Sequence, residues 1–476
     1  MGKQIPTKTN KLKILFLSIS STSFFYEQLV IPFGLVSLGS YIDGTDYEIK
    51  GIECNSPPGK IMERYLRVDN EILKKILDFE PDVVAMSTYA SNIYNVLFWA
   101  NAVKERLPGT FIVIGGNHAS YIAKECLEKC KSLDAVGRFE GEIAFKMLCE
   151  KLSKKNYDFS NIPNLTYRDG NTIVENATTT CLESLDLLPI LNRTFFDEQN
   201  TAGNLTHADI ISARGCTANC TFCNCNHYWG KTHRTRTVES VIEELKELKR
   251  NNPLIKSVRF RDESMTLKKK YCLEICEAIV SNNVDLRFQA HSRLDGLDKE
   301  VIKVLAKAGF ELLFIGVESG STAVLKRLKK GINLSKLETV ISLLRKYGIG
   351  FRLSFMSSTP GEKFTETLET VGLIRKLKLK RDEYYLGVGI DIYPGTEEHR
   401  RFLELNPDYE WITKDYQFKG KYFAVKDLEG NITQPKYREY SVLKSAFIFL
   451  LLSPNYFFEK VKTINIKKLK SVLKIK

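Results

Sequence analysis

Two alternating patterns of apolar and polar positions divide the chain. In the first, runs at 12–18, 47–52, 81–87 and 111–116 are short, rich in aliphatic residues and bounded by polar or glycine-containing segments. Runs of that length and composition read as strands. Between them, a stretch over 31–42 with small residues on one face, an amphipathic stretch over 70–79 and another over about 93–107 read as helices. Strands alternating with helices predict a parallel sheet covered on both faces, with a ligand at the carboxyl ends of the strands. Those ends carry Ser18, Ser87, Thr88, Tyr89, the Gly115, Gly116, Asn117, His118 turn, and a segment over 137–142 that includes Glu140, Gly141 and Glu142. An Asp-Gly pair at 169–170 predicts a hairpin.

The second pattern begins near residue 205. Strand-like runs at 208–213, 257–261, 286–290, 312–317, 350–355 and 385–393 are separated by helical-period stretches such as 238–249. Six such repeats predict a partial (β/α)6 barrel, whose reactive groups gather where the strands end. The tail differs. Its apolar run at 446–452 is far shorter than the roughly 20 residues that cross a bilayer. At 466–476 lysines and aliphatic residues fall at helical spacing. They fit either a helix lying on an anionic membrane surface or one packed over the barrel with its lysines solvated.

Composition narrows the picture. A chain of 476 residues with 43% hydrophobic and 27% charged content is globular and long enough for two or three domains. The net charge of +13 does not choose between nucleic acid, anionic membrane and phosphorylated ligands. Apart from one central loop, the eleven cysteines are scattered and make no disulfide framework. The polar start of the chain lacks the apolar centre of a signal peptide, so a reducing cytoplasm is expected.

The central loop carries the candidate chemistry. Cys216, Cys220 and Cys223 fall at a Cys-x3-Cys-x2-Cys spacing just after the run ending at Ile211. Clusters held by cysteine normally take four thiolates, so three on one loop leave one iron of a cubane to a small molecule. With Cys225 the loop also offers four thiols for a zinc knot, although zinc sites usually draw paired ligands from two separated segments. Cys225 otherwise reads as a spare thiol or as a ligand in another cluster state.

On these residues, with the aromatic Phe222 before the third cysteine, the chain resembles the radical S-adenosylmethionine (SAM) superfamily. The resemblance implies that SAM's amine and carboxylate complete the open iron and that one electron from the [4Fe-4S] cluster converts SAM to a 5′-deoxyadenosyl radical. It places Phe222 near adenine, Asp262 and Glu263 where the amino group is recognised, and Glu318 at the ribose hydroxyls with Ser319 among the SAM contacts. Arg293 is the candidate for the SAM carboxylate, because a guanidinium pairs two oxygens at once. The Pro-Gly-Glu at 360–362 and Pro-Gly-Thr at 394–396 match family turns after the fifth and sixth strands.

The upstream region resembles the cobalamin (B12)-binding domain that precedes the radical core in one large subclass. The likeness rests on the proline-glycine-leucine helix at 32–38, the Gly-Gly-x-His at 115–118, the Glu-Gly-Glu at 140–142 and an acidic-proline linker at 185–189. It implies that Ser87, Thr88, Gly115, Gly116, Glu140 and Gly141 line the nucleotide tail of the corrin. The Asp-x-His-x-x-Gly that supplies a lower axial histidine elsewhere is absent after the first strand, and His118 reads as a loop histidine satisfied by backbone. The expected architecture is therefore α/β: a doubly wound, Rossmann-like cobalamin-binding domain (1–162), a connector (163–204), a radical SAM barrel (205–400) and a small, basic, α-rich C-terminal region (401–476).

The resemblance implies an enzyme that moves a methyl group from methylcobalamin to an unactivated carbon, with cyclisation or rearrangement as the alternative outcome of the same two domains. Methylthiolation would need further cluster cysteines, and Cys54, Cys126, Cys130 and Cys149 do not fall at matching strand ends. A zinc-stabilised nucleic-acid binder is the non-enzymatic alternative. Expected partners are a small-molecule or lipid-like substrate and an electron donor such as flavodoxin or ferredoxin, without nucleic acid. The expected location is the cytoplasm, with peripheral contact at the inner membrane face if the tail binds lipid.

Overall fold

In the computed structural model each apolar run of the first third becomes a strand with both faces covered. The structure describes residues 11–19, 32–44, 46–54, 69–178, 181–199, 206–413, 416–426, 432–439, 444, 448, 451 and 452. The first unit comprises β1 (Leu12–Ile19), α1 (Phe33–Ile42), β2 (Tyr47–Cys54), α2 (Asn70–Phe79), β3 (Val83–Ser87), α3 (Ile93–Arg106), β4 (Phe111–Gly115), α4 (Ala123–Lys129), β5 (Ala135–Gly137), α5 (Glu142–Ser153), β6 (Leu165–Asp169) and β7 (Thr172–Glu175). Alternate residues of one run serve opposite cores, as a doubly covered sheet requires. Leu15, Leu17, Met86, Ile112 and Ile114 face one side, whereas Ile14, Phe16, Val83, Ala85 and Val113 face the other. The start of α2 is local chemistry: Asp69 accepts the Glu71 and Ile72 N–H groups, satisfying donors that have no partner inside the helix.

The strand order is β2-β1-β3-β4-β5-β6-β7. The first five strands run parallel, and β6 and β7 join antiparallel. The Asp-Gly hairpin thus belongs to this sheet rather than to a free connector. It covers the edge of β5, whose backbone groups would otherwise lack partners.

The second unit carries β8 (His207–Ile210), β9 (Ala213–Arg214), β10 (Arg234–Thr235), β11 (Ser257–Phe260), β12 (Arg287–Arg293), β13 (Phe310–Glu318), β14 (Gly350–Ser357) and β15 (Tyr384–Val388). Six of these form one sheet in the order β15-β14-β13-β12-β11-β8, and every pair in it is parallel. The outer strands β8 and β15 do not pair with each other, so the arc stays open. Val258, Phe260, Phe288, Ala290, Leu313, Ile315, Leu353 and Phe355 form a core with the outer helices.

The C-terminal region departs from the α-rich expectation. Its described residues include the helix Glu397–Leu405 and a three-stranded antiparallel sheet of β16 (Ile390–Asp391), β17 (Tyr422–Lys426) and β18 (Ile432–Tyr437), ordered β16-β18-β17. Phe402, Tyr409 and Trp411 join one core of the first unit. The aromatic residues here bury best against an existing apolar face, because a segment this short cannot enclose a core of its own. Ile448 is fully buried in the barrel core, with Leu451 and Leu452 packed beside it, so these residues of the tail's apolar run cover the barrel. Among the described residues no helix is long and apolar enough to cross a membrane. The lysine-rich 466–476 segment lies outside the described residues.

Candidate active site

The three cysteines sit between β9 and the short helix Cys225–Tyr228. The chain enters their loop through Gly215, at φ +95°, where a Cβ would collide with the Thr232 carbonyl. Glu263 Oε2 accepts the Gly215 N–H at 2.9 Å. Thr221, between the second and third cysteines, donates its N–H to Leu328 O at 3.0 Å and accepts the Glu398 N–H at 3.2 Å. Both ends of the loop are therefore tied to the barrel before any metal arrives.

The thiols have contrasting surroundings. A hydrogen bond from Cys225 pulls the Cys216 thiol down to about 6, helped by the Ala218 N–H and by Arg293. Burial pushes Cys220 up, against the opposing charges of Lys330 and Arg293. Burial likewise pushes Cys223 up to about 11. Cys225 is buried and acts as a donor to Cys216 sulfur. No group of three or more His, Cys, Asp or Glu among the described residues converges on a point fit for one metal ion. Thiols spread over one loop suit separate corners of a cubane better than one tetrahedral ion.

Around this loop the strand ends bring together Glu263, Arg293 and Glu318. Arg293 is held by Asp295 at 3.0 and 3.1 Å and by Lys330 O at 2.9 Å. Glu318, at φ +72°, pairs through Oε1 with Lys330 Nζ at 2.7 Å and accepts from Ser354 Oγ at 3.3 Å. A non-glycine residue at positive φ stores strain of the kind found at functional sites. A Cβ at Gly316 would lie 2.5 Å from Glu318 Oε1 and 2.7 Å from Lys330 Nζ, so a larger residue there would displace the pair. Phe222 packs with Val324, Leu328 and Ile390.

Two other SAM candidates are engaged by the fold. Asp262 accepts the Ser212 N–H at 2.8 Å and the Ser212 hydroxyl, tying the ends of β8 and β11. Burial pushes its carboxyl up to about 6. Ser319 is fully buried, 3.2 Å from Thr370 Oγ1 and accepting the Ser321 N–H at 3.1 Å.

The ends of the first sheet are equally mixed. Gly116 takes φ +96°, and a Cβ there would lie 2.8 Å from Ser87 Oγ and 2.9 Å from Thr88 N and O. We expect Gly116→Ala to cost about 1–3 kcal/mol through forced strain, seen as a lower urea midpoint at unchanged slope. Thr88 Oγ1 donates to Gly115 O at 2.8 Å and accepts the Ala119 N–H at 3.0 Å, so it closes the turn itself. His118 departs from expectation: its Nε2 is buried without a hydrogen-bond partner. Its ring lies 5.3 Å from Trp411, edge-on, and burial lowers it to about 4.

Glu140 faces the second unit rather than an open strand end. It pairs with Arg234, lies 3.4 Å from Arg214 Nη1 and accepts the Leu182 N–H at 2.8 Å. Glu142 takes the other side of Arg214 at 2.7 Å. Gly141 caps α5, where a Cβ would press on Leu38 at 3.2 Å. A buried carboxylate needs a cation, and both arginines come from the strands flanking the cysteine loop. The same seam is closed by Asn224 Nδ2 donating to Asn117 Oδ1 at 2.6 Å and Tyr228 Oη donating to Phe139 O at 2.9 Å. Arg214, Asn224, Tyr228 and Lys330 received no role from sequence; only the adjacency of Arg214 to Gly215 and Cys216 hinted at one.

A doubly wound domain whose strand ends abut a three-cysteine loop at the mouth of an open parallel barrel defines an iron–sulfur enzyme with a second, large-ligand domain. The Radical SAM superfamily model matches residues 210–374 and the B12 binding domain model residues 26–148. The chain thus carries a B12-binding domain followed by a radical SAM domain; it is an enzyme, and its cofactors are a [4Fe-4S] cluster, SAM and cobalamin. It is 29% identical to an uncharacterized methyltransferase of Pyrococcus horikoshii over 82% of this chain and 83% of that protein. It is 27% identical to the cytidylyl-2-hydroxyethylphosphonate methyltransferase of Streptomyces wedmorensis over 73% of each. In fold it matches the radical SAM methyltransferase TsrM of Kitasatospora setae, solved with cobalamin and a [4Fe-4S] cluster, with TM-score 0.75 at 16% identity, covering 93% of this chain and 91% of that one.

The residues present fit both groups. The three-thiol loop suits the cluster. At the first sheet's carboxyl ends the buried His118 Nε2 is left without a protein partner, a polar atom that a bound corrin would be placed to satisfy.

Proposed function

We propose that this enzyme is a C-methyltransferase acting on an unactivated carbon of a small organic substrate. The observation that supports it best is the seam itself: Asn224 and Tyr228, just beyond the cysteine loop, hydrogen-bond Asn117 and Phe139, just beyond β4 and β5. The ends that serve two cofactors are thereby held against each other, and reaction at one carbon needs both within a few ångströms.

When bound, the cluster and SAM supply hydrogen abstraction and cobalamin supplies the methyl group. In this reading Cys216, Cys220 and Cys223 hold the cluster, with the Cys225 thiol as donor to Cys216. Arg293 takes the SAM carboxylate, Glu263 its amino group and Glu318 its ribose, while Phe222 lies against adenine. Asp262 and Ser319 act as framework beneath them. Ser87, Gly115 and Gly116 meet the corrin tail, whereas Thr88, Glu140 and Gly141 shape and anchor the loops behind it. Lys330 holds Glu318 in its strained conformation. An external one-electron donor of the flavodoxin or ferredoxin kind completes the reading.

The test is anaerobic incubation of the reconstituted enzyme with cobalamin, methyl-labelled SAM, a reductant and cell extract, followed by mass spectrometry. A product heavier by one labelled methyl group is expected. SAM cleavage with a new, unlabelled product would overturn methyl transfer in favour of cyclisation or rearrangement.

A further inference from the structure

The inner face of the open barrel is polar, unlike the packed interior of a closed eight-stranded barrel. Barrel interiors are generally filled by branched aliphatic side chains, and parallel sheets are generally covered on both faces. Here the face opposite the helices carries Arg259 and Arg261 on β11 and its end, Gln289 and His291 on β12, Phe314 on β13 and Arg352 on β14, alternating with the core-facing Val258, Phe260, Phe288, Ala290, Leu313, Ile315, Phe351 and Leu353.

These side chains are arranged in rungs. His291, Phe314 and Arg352 are direct cross-strand partners. The His291 and Phe314 rings stack at 5.1 Å, and the Arg259 guanidinium lies over Phe314 at 5.2 Å. Arg259 also donates to Gln289 Oε1 at 2.9 Å, and Gln289 in turn donates to Glu311 at 3.1 Å. Arg261 is matched by Asp209 at 2.7 Å. Arg352 makes no hydrogen bond or ion pair among the described residues, and both it and His291 are exposed. Desolvation by the neighbouring side chains, with the charges of Arg259 and Arg261, lowers His291 to about 4. One rung nearer the cysteine loop, about 7 Å along the strands, stand Arg293, Gly316, Ser354 and Tyr385 in register, with Tyr385 52% exposed.

We propose that this inner face is the substrate pocket and that it takes an organic oxyanion, a carboxylate or phosphate ester, held by Arg352 and Arg259 with its carbon body directed along Tyr385 toward the cysteine loop. The inference rests on the methyl-transfer reading only in calling the ligand the substrate. A purely hydrocarbon ligand is disfavoured, because sealing it against Arg352 would strip a guanidinium of water without replacing its hydrogen bonds. An oxyanion replaces them with charge-assisted ones in a fork geometry that suits arginine. The carboxylates nearest the face are already engaged by Arg261 and Gln289, so the excess charge there is positive.

The test measures binding without turnover, so its outcome is separate from that of the methyl-transfer experiment. Reconstituted holoenzyme saturated with SAM is titrated calorimetrically with 2-naphthoate, 2-naphthyl phosphate and neutral 2-naphthylmethanol. At least one anion is expected to bind about tenfold or more tightly than the alcohol, and which one does so identifies the oxyanion class. Arg352→Ala is expected to remove that preference while leaving the alcohol's affinity unchanged, and Arg352→Lys to keep part of it. Because Arg352 is exposed, its truncation leaves the core intact; should the variant fail to fold, loss of the preference with added salt in the unaltered enzyme serves as the second measurement. Equal binding of acid and alcohol, a preference that survives Arg352→Ala, or one insensitive to salt would overturn the proposal.

Discussion

Replacing Cys216, Cys220 or Cys223 by serine will strip the reconstituted protein of its iron and sulfide, from about four of each per chain to near zero, and SAM cleavage will fall to background with it. In the proposed ligation each thiolate would be the sole protein ligand of its iron, and the loop offers no neighbouring thiol in the right place except Cys225. That residue hydrogen-bonds Cys216 rather than standing free. Cys225→Ala is therefore expected to retain about four irons, with a shifted cluster potential, since hydrogen bonds to ligand sulfur tune that quantity. Iron and sulfide analysis of the four single variants decides the matter. Loss of iron in Cys225→Ala equal to that in the other three would make it a ligand.

Arg214→Ala is expected to be the most destabilising single change away from the cysteines. Arg214 lies between Glu142 at 2.7 Å and Glu140 at 3.4 Å, all three are buried, and its guanidinium sits 5.1 Å over the Trp229 ring. Removing it leaves two buried carboxylates with one fewer cation, a loss of about 3–5 kcal/mol. In a unit of this size that corresponds to a melting temperature lower by roughly 6–20 °C. The sign with pH follows from Glu142. Burial raises its carboxyl, but the charge and hydrogen bond of Arg214 outweigh that and hold it below the ordinary value. Its contribution is thus present above the ordinary carboxylate range, about 4.3, and lost as pH falls through the lower folded value. In Arg214→Ala burial is opposed only by the hydrogen bonds from Ser37 and the Glu142 N–H, so the variant should weaken as pH rises past about 5. Adding Glu142→Gln should recover part of the loss by removing the stranded charge. Thermal melts of the two single variants and the double across pH 4–8 test this, and additive losses would show that the residues act separately.

Much of the architecture was legible from pattern. The helix expected over 70–79 is found at Asn70–Phe79, because amphipathic period and an Asp69 cap are both properties of neighbours in sequence. The six barrel strands appear in order, since runs such as 257–261 and 350–355 alternate between helix-facing apolar and inward-facing polar residues. The three cysteines were equally plain, their spacing being local. Less legible was the hairpin at 165–175, which turns out to extend the first sheet. Its turn is written in the Asp-Gly pair, but nothing nearby says which edge it covers. The apolar run near 448 was likewise clear as a run, while the barrel core that Ile448 enters is assembled from strands more than 60 residues upstream.

By itself, the sequence determined two α/β patterns in tandem, a loop of three closely spaced thiols and a resemblance to radical SAM and B12-binding domains, because periodicity and spacing are set within a few turns of chain. Only the tertiary structure decided what the charged groups do. Glu142 meets Arg214 across 72 residues, Glu140 leaves the strand end for Arg234 across 94, and Arg352 faces the barrel interior without a counter-ion among the described residues. A buried charge is satisfied by whichever opposite group shares its space, and that is fixed by how the two sheets close on each other.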